Sequence, residues 1–505
     1  MTRRRRLMGG MAWNLIGNVM PLVAAVAAIP MLISRMGPSR FGLLTFVWMI
    51  VGYSALLDLG VGRALTHGVA ERLGRRDVEE IPAVVRAGVG SLLLIGLVGF
   101  LVLTLGSAWV AGRFLKVPAD VVLEAERSLK VAALVIPMVV LASAFRGVLE
   151  GYQRFRVLGV VRSVAGVLLF VSPVIVLQFT GRLWVVVGAL AAVRLLELGC
   201  YVVYTARLIP GLMGGGGGGG ALLRRLFRFG IWSTLNNLVG GLMSMAYIDR
   251  VYISGTLGTD ALAFFATPFD MVAKVLIAPA AMIGVLFPEF SSLGHQASDR
   301  ARVVAMQAIR VIVFGTAPVF LLFIGAADPL LTLWLGAEVA AQSRTTFQIV
   351  SVGTLAVSVA YVPFAFIQAM GRPDLTAKRH FLEIPFYAVA SYAALRMLGT
   401  TGSSLVWSVW AVVDLILIGR IMRRVVPSET PTIEPAGWVA VSAFLGVAYL
   451  CGISGVSWLQ ISAGVVTPGL FVLWGWSRWL EPEDRLVIAA WAPATFRQRL
   501  SGRGG

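Results

Sequence analysis

Residues 12–33 read AWNLIGNVMPLVAAVAAIPMLI, and the reading of this stretch decides what kind of molecule the chain is. It follows the basic cluster Arg3 to Arg6 and contains the alanine-rich segment Ala24 to Ala28, so it has the outline of a secretory signal peptide. The run has no charge over its whole length, however, and exceeds the roughly 7–15 residues of a signal-peptide core. A helix of this length, at about 1.5 Å per residue, covers a hydrocarbon layer of about 30 Å. Similar runs follow along the chain, so it reads as the first of a series of membrane-spanning helices.

Composition agrees. The chain has 505 residues, 58% hydrophobic and 13% charged, where a soluble domain carries roughly a quarter charged residues. Its mean hydropathy is +0.84. The apolar residues fall into about fourteen spans, near 12–33, 42–64, 87–111, 128–149, 158–179, 183–206, 230–253, 260–288, 306–326, 345–369, 381–398, 402–422, 437–456 and 460–480. None shows the two-residue alternation of barrel strands, so each must satisfy its backbone as a helix. Many of the 56 glycines lie inside these runs, where small residues let helices approach closely. Cys200 and Cys451 also lie inside apolar runs and read as small core residues, not as a disulfide or a metal pair.

The net charge of +18 does not indicate a nucleic-acid partner, because the basic residues sit in short clusters between spans. With the N-terminus assigned to the cytoplasm, one set of alternate loops collects Arg72, Arg75 and Arg76; Arg154 and Arg156; Arg207, Arg224, Arg225 and Arg228; Arg300 and Arg302; Arg372, Lys378 and Arg379; and Arg420, Arg423 and Arg424. With the basic tail, that side holds about 26 of the 43 basic residues against about nine opposite, which predicts both termini inside. The opposite loops are short and leave no room for an external domain.

Seven consecutive glycines, Gly214 to Gly220, separate spans six and seven. Such a run has no structure of its own and reads as a linker between two halves of six. The halves resemble each other. Leu149-Glu-Gly-Tyr-Gln-Arg154 matches Ile367-Gln-Ala-Met-Gly-Arg372, Gly10-Met-Ala-Trp13 echoes Gly230-Ile-Trp232, and Leu32-Ile-Ser34 with Gly37 echoes Tyr252-Ile-Ser254 with Gly258. The offset stays at about 218–221 residues, and six crossings give both halves one orientation, hence a parallel repeat about an axis along the membrane normal. The expectation is an all-α polytopic membrane protein: two six-helix lobes in parallel pseudo-twofold repeat plus two extra C-terminal helices. The lobes cover 1–213 and 221–426, the linker 214–220, and the extra helices with a basic tail 427–505.

Catalytic signatures are missing. The chain has no Gly-x-x-x-x-Gly-Lys-Ser/Thr, no His-Glu-x-x-His and no Gly-x-Ser-x-Gly. Its three histidines, His67, His295 and His380, lie far apart in sequence, in or beside cytoplasmic loops. No enzyme, cofactor or metal centre is expected.

What remains is charge inside the spans, which costs about 2.5–3.5 kcal/mol per residue at mid-bilayer and so faces a cavity or a partner. Arg146 and Arg162 lie within two turns of a cytoplasmic end and can snorkel. Arg194 and Glu197 can pair at i, i+3. Asp414 is deep, with no local partner. Asp249 and Arg250 are adjacent in span seven and point about 100° apart. Asp270 and Lys274 lie one turn apart in span eight, after Thr267-Pro268, and Asp58 and Arg63 are i, i+5 in span two. These groups read either as interhelical salt bridges or as cavity lining.

The stretch Pro30-Met-Leu-Ile-Ser-Arg-Met-Gly-Pro-Ser-Arg-Phe-Gly42 with Leu57-Asp-Leu-Gly-Val-Gly-Arg-Ala64 resembles the first two helices of the O-antigen (Wzx-type) polysaccharide flippases. Ile248-Asp-Arg-Val-Tyr-Ile253, Leu286-Phe-Pro288 and Gly371-Arg-Pro-Asp374 extend the resemblance over about residues 8 to 425. It implies the fold of the multidrug/oligosaccharidyl-lipid/polysaccharide exporter superfamily, with two lobes around a polar cavity. It also implies alternating-access movement of undecaprenyl-pyrophosphate-linked sugars across the bacterial inner membrane. The implied partners are a lipid-linked glycan, membrane lipids and the polysaccharide-biosynthesis machinery. Arg250, Lys274, Arg63 and Asp249 are then the candidate cavity residues, cations there offsetting the desolvation of a pyrophosphate. Asp270 and Asp58 are the candidates for coupling to an ion gradient. The alternatives are a multidrug:cation antiporter, expected to have an acidic or aromatic cavity, and a membrane polysaccharide polymerase or ligase, expected to carry a long outer loop.

Overall fold

The structure is a computed structural model that describes residues 3–58, 60–212, 242–293, 298–425 and 435–491. The described residues are helical nearly throughout, and eleven helices among them are long and apolar enough to cross a membrane. Two of the eleven, Val19–Ser54 and Pro373–Val425, each hold two expected spans around a glycine kink, and span seven is described only over Leu242–Thr256. On that basis the fourteen expected spans are accounted for. The Gly214–Gly220 linker lies outside the described residues.

Helix α1 (Arg3–Ser54) carries its kink at Gly37, whose φ of 74° and ψ of 165° only glycine adopts readily, with Pro38 next. The second span differs from expectation. It leaves the α-helix at Ser54, passes through a 3₁₀ turn at Ala55–Asp58, and restarts as α2 (Val61–Arg75) behind Gly60, at φ 72°. The physical reason is local: the Asp58 carboxylate accepts the Gly60 amide at 2.8 Å, a side-chain turn that competes with the helix.

The chain divides into two compact units, Met1–Ala263 and Phe264–Gly505. The first continues with α3 (Ile81–Trp109), α4 (Val122–Gly151), α5 (Phe155–Val176), α6 (Leu183–Leu208) and α7 (Leu242–Thr256). Its centre is α4, with 67% of its apolar stretch buried. Small residues permit this. A methyl group at Gly147 would collide with the Gly62 carbonyl, and one at Gly96 would come within 2.7 Å of Pro137. Val61, Leu65, Val84, Leu92, Ile136 and Val140 fill the space between α2, α3 and α4.

After α8 (Thr259–Ala273), which crosses the boundary, the second unit holds α9 (Ile277–Leu293), α10 (Ser298–Gly325), α11 (Ala327–Leu335), α12 (Ala337–Ala369) and α13 (Pro373–Val425). It ends with α14 (Pro435–Gly452), α15 (Ser457–Trp474) and α16 (Pro482–Trp491). Here α12 is central, with 83% of its apolar stretch buried. The two extra C-terminal helices are built into this unit. Gln348 donates to the Ile324 carbonyl at 2.9 Å beside Gly452, where a Cβ would not fit. Arg310 of α10 binds Glu481 at 2.9 Å and Asp484 at 2.5 Å, and the Trp479 indole donates to the Arg310 carbonyl at 2.9 Å.

Within each unit the repeat is visible in backbone detail. Gln153, after α4, has φ 56°, and Gly371, after α12, has φ 75°. The amides of Tyr152, Gln153 and Arg154 bond to the carbonyls of Val148, Glu150 and Leu149; those of Met370, Gly371 and Arg372 bond to Phe366, Gln368 and Ile367. Every atom pair is displaced by the same 218 positions (371 less 153). This is one C-terminal capping turn written twice. Gly37 and Gly258, both at positive φ, repeat at a displacement of 221 positions (258 less 37).

Candidate functional site

On α7, Tyr247 and Arg250 stand at i, i+3 and share a face. The Arg250 guanidinium lies 5.4 Å from the Tyr247 ring centre, and Tyr247 meets Tyr53 of α1 edge-on at 4.3 Å. Arg250 is 7% exposed and Asp249 is fully buried. A desolvated guanidinium over a tyrosine ring gains about 2 kcal/mol, which holds the cation without neutralising it. Sequence reading picked out Arg250 and Asp249 but not the two tyrosines. The i, i+3 spacing of Tyr247 and Arg250 was the available signal.

The other expected residues are placed differently. Asp58 accepts the Gly60 amide through one carboxylate oxygen, and Arg63, on α2, is exposed. Asp270, at half burial, lies near the end of α8. Lys274 is exposed and opens the 3₁₀ segment Lys274–Leu276 that separates α8 from α9. Asp270 and Lys274 therefore flank a break in the helix, in the second unit, whereas Arg250, Asp249, Asp58 and Arg63 belong to the first.

Sequence reading left Asp414 without a partner, and the structure supplies one. The two arms of α13 turn back at Gly399, φ 62°, and bring Arg379 onto Asp414. Arg379 also binds Glu383 at 3.3 Å and contacts His380 at 3.0 Å. His380 lies in α13 and is buried. His380, Glu383 and Asp414 place one ligand atom each within 4.8 Å of one another, a spacing a cation could use. The Arg379 guanidinium already bridges both carboxylates, so the set holds an internal cation. Beside it, a groove of about 480 Å³ opens between the arms, walled by Leu382, Phe386, Leu405, Val409 and Val413.

The chain is similar to known proteins along most of its length. A family model described as "Polysaccharide biosynthesis protein" matches residues 32–344. A Shigella flexneri protein named "Putative O-antigen transporter" is 25% identical over 412 residues, covering 82% of this chain and 96% of that one. Among solved structures, an inward-facing multidrug resistance MATE family transporter of the MOP superfamily matches with TM-score 0.65 at 15% identity, over 82% of this chain and 96% of that one. The lipid II flippase MurJ, in an inward closed conformation, matches with TM-score 0.65 at 12% identity, over 92% of this chain and 99% of that one. At such identities the two structures establish a shared fold.

Proposed function

The chain belongs to the polysaccharide biosynthesis protein family, and on that premise we propose that it is a flippase that moves a lipid-linked oligosaccharide across a membrane. The observation that carries this reading is the family match, which spans 313 residues (344 − 32 + 1) of the membrane-embedded chain. The cargo is an undecaprenyl-pyrophosphate-linked glycan, carried from the cytoplasmic to the outer leaflet of the bacterial inner membrane, with both termini cytoplasmic. It is a carrier, and no bond is made or broken.

Physical chemistry supports the cargo class. A pyrophosphate loses several kcal/mol of hydration energy on entering an apolar layer, and only fixed cations and donors offset that loss. Arg250 is such a cation, held by an aromatic face and able to bind phosphate oxygens bidentately. Lys274 and Arg63, both exposed, are the further cations of the path, with Asp249 beside Arg250. Asp270 and Asp58 are the proposed groups for coupling to an ion gradient, with alternating access between the two lobes as the mechanism. The likeness to multidrug transporters is one of fold, and Arg250 favours an anionic cargo over a cationic one.

Deletion of the gene in its host tests the reading. Surface polysaccharide should fall and the lipid-linked precursor should accumulate, both restored by the wild-type chain. Unchanged surface polysaccharide alongside new sensitivity to cationic drugs would assign the extruder function instead.

A further inference from the structure

The groove between the two arms of α13 has a floor, two rims and one charged end. Tyr387 of the first arm meets Trp410 of the second edge-on at 5.7 Å, and both rings are buried. Leu382 and Phe386 form one rim and Val409 and Val413 the other, all four exposed. At one end Arg379 binds Glu383 at 3.3 Å and Asp414 of the opposite arm, so the arms are held together there and the groove is pre-formed. On the second arm the lining runs from Leu405 to Leu417, about 18 Å at 1.5 Å per residue.

Between residues 381 and 419 the exposed side chains of the two arms are apolar, apart from Tyr392 and Arg396 near the turn. The rims therefore face hydrocarbon and not a water-filled cavity. One leaflet contributes about half of a hydrocarbon layer of roughly 30 Å, so the groove has the length of a single lipid chain. Its far side from the turn is cationic. Arg420 and Arg424 stand three and seven residues beyond Leu417, on the same helix face, and both are exposed. Among the described residues neither has an ion-pair partner. Even with Glu383 and Asp414 both ionised, Arg379, Arg420 and Arg424 leave that end with a surplus of positive charge. Orientation by charge puts it on the cytoplasmic face, where anionic phospholipids attract basic groups. Snorkelling accounts for arginines at a helix end, but not for an apolar trough aligned with them.

We propose that the α13 groove is a binding site for an anionic phospholipid of the cytoplasmic leaflet. One acyl chain lies between the arms, over Tyr387 and Trp410, and Arg420 and Arg424 hold the headgroup phosphate through charge-assisted bonds. A zwitterionic phospholipid offers the same chain but no net charge, so the site discriminates by headgroup. An undecaprenyl chain is several times longer than the groove, which favours a bilayer phospholipid over the lipid of a glycan carrier. The bound lipid bridges the two arms and adds to the tie that Arg379 makes at their base. The site lies in the second unit, and it does not rest on the cargo proposed above.

The test titrates the delipidated full-length protein in detergent with phosphatidylglycerol, phosphatidylcholine and undecaprenyl phosphate, counting bound lipid by native mass spectrometry. Phosphatidylglycerol should bind more tightly than phosphatidylcholine. Arg420→Gln and Arg424→Gln should each weaken phosphatidylglycerol about fivefold and leave phosphatidylcholine unchanged. Val409→Trp, which fills the groove from an exposed rim, should weaken both phospholipids at an unchanged lipid-free melting temperature. Val413→Trp on the same rim repeats that arm should the first variant fail to fold. Arg207→Gln removes an exposed cation from the end of α6 in the other unit and should change nothing. Equal binding of the two phospholipids, or an Arg207→Gln loss as large as that of Arg420→Gln, would reduce the effect to general surface charge and overturn the site. Undiminished phosphatidylglycerol binding in the folded tryptophan variant overturns the groove as its seat, and preference for undecaprenyl phosphate overturns the phospholipid as its occupant. No transport is measured, so failure here is distinct from failure of the transport function.

Discussion

Arg379 and Asp414, 35 residues apart in sequence, are joined across the kink of α13 by a buried ion pair, and the Arg379 guanidinium also contacts the Asp414 backbone carbonyl. The bond ties together the two arms of a helical hairpin that turns at Gly399, φ 62°. Breaking one partner of such a pair leaves a bare charge in the interior. Arg379→Leu should therefore destabilise the protein by about 3–5 kcal/mol, and Arg379→Leu with Asp414→Leu should recover the part due to Asp414, Glu383 still being left without its guanidinium. Thermal unfolding in detergent measures both. Additive losses in the double variant would mean that the pair is not coupled.

Arg250 and Lys274 are the cations proposed for the anion path. Arg250→Ala and Lys274→Ala should abolish glycan export while membrane abundance and melting temperature stay near wild type. Arg250→Lys should be impaired as well if bidentate contact with the phosphate matters, because an ammonium cannot reproduce a guanidinium fork. Export and melting temperature are read on the same variants. Lost export that tracks lost stability would make these residues interhelical struts and not a path.

The duplicated turn makes an opposite pair of predictions. Gln153 carries a side chain at φ 56°, where glycine is at ease, so Gln153→Gly should stabilise by roughly 0.5–1 kcal/mol. Gly371→Ala, at φ 75°, should destabilise by a similar or larger amount. Unfolding midpoints decide, and equal signs for the two changes would contradict a shared cap geometry.

Orientation follows from basic-loop asymmetry alone. Reporter fusions at Gly217 and at Gly505 should both behave as cytoplasmic. A periplasmic signal from either reverses the assignment.

The spans were legible because a membrane helix must satisfy its backbone within its own segment, and that requirement writes itself as about 20 apolar residues. The repeat was legible for a related reason: the capping turns after α4 and α12 demand the same local geometry, and Gln153-Arg154 and Gly371-Arg372 preserve it. The break at Asp58–Gly60 was missed because an apolar window averages over one side-chain turn. Partners distant in sequence were not legible at all. Asp414 finds Arg379 only after the chain folds back at Gly399, and Arg310 finds Asp484 at a separation of 174 residues. The α4–α6 arginines were visible singly, as snorkelling residues and a helical pair.

Transport of a lipid-linked glycan is tested most directly by placing the purified protein in sealed liposomes with lipid-linked oligosaccharide from its host on the inner leaflet. Access of a membrane-impermeant glycosidase to the glycan is then followed with time. The wild-type protein should expose the inner-leaflet glycan well above the protein-free rate, and Arg250→Ala should return it to that rate. Glycan exposure indistinguishable from protein-free liposomes, from a protein that is folded and that moves a cationic dye instead, would contradict it.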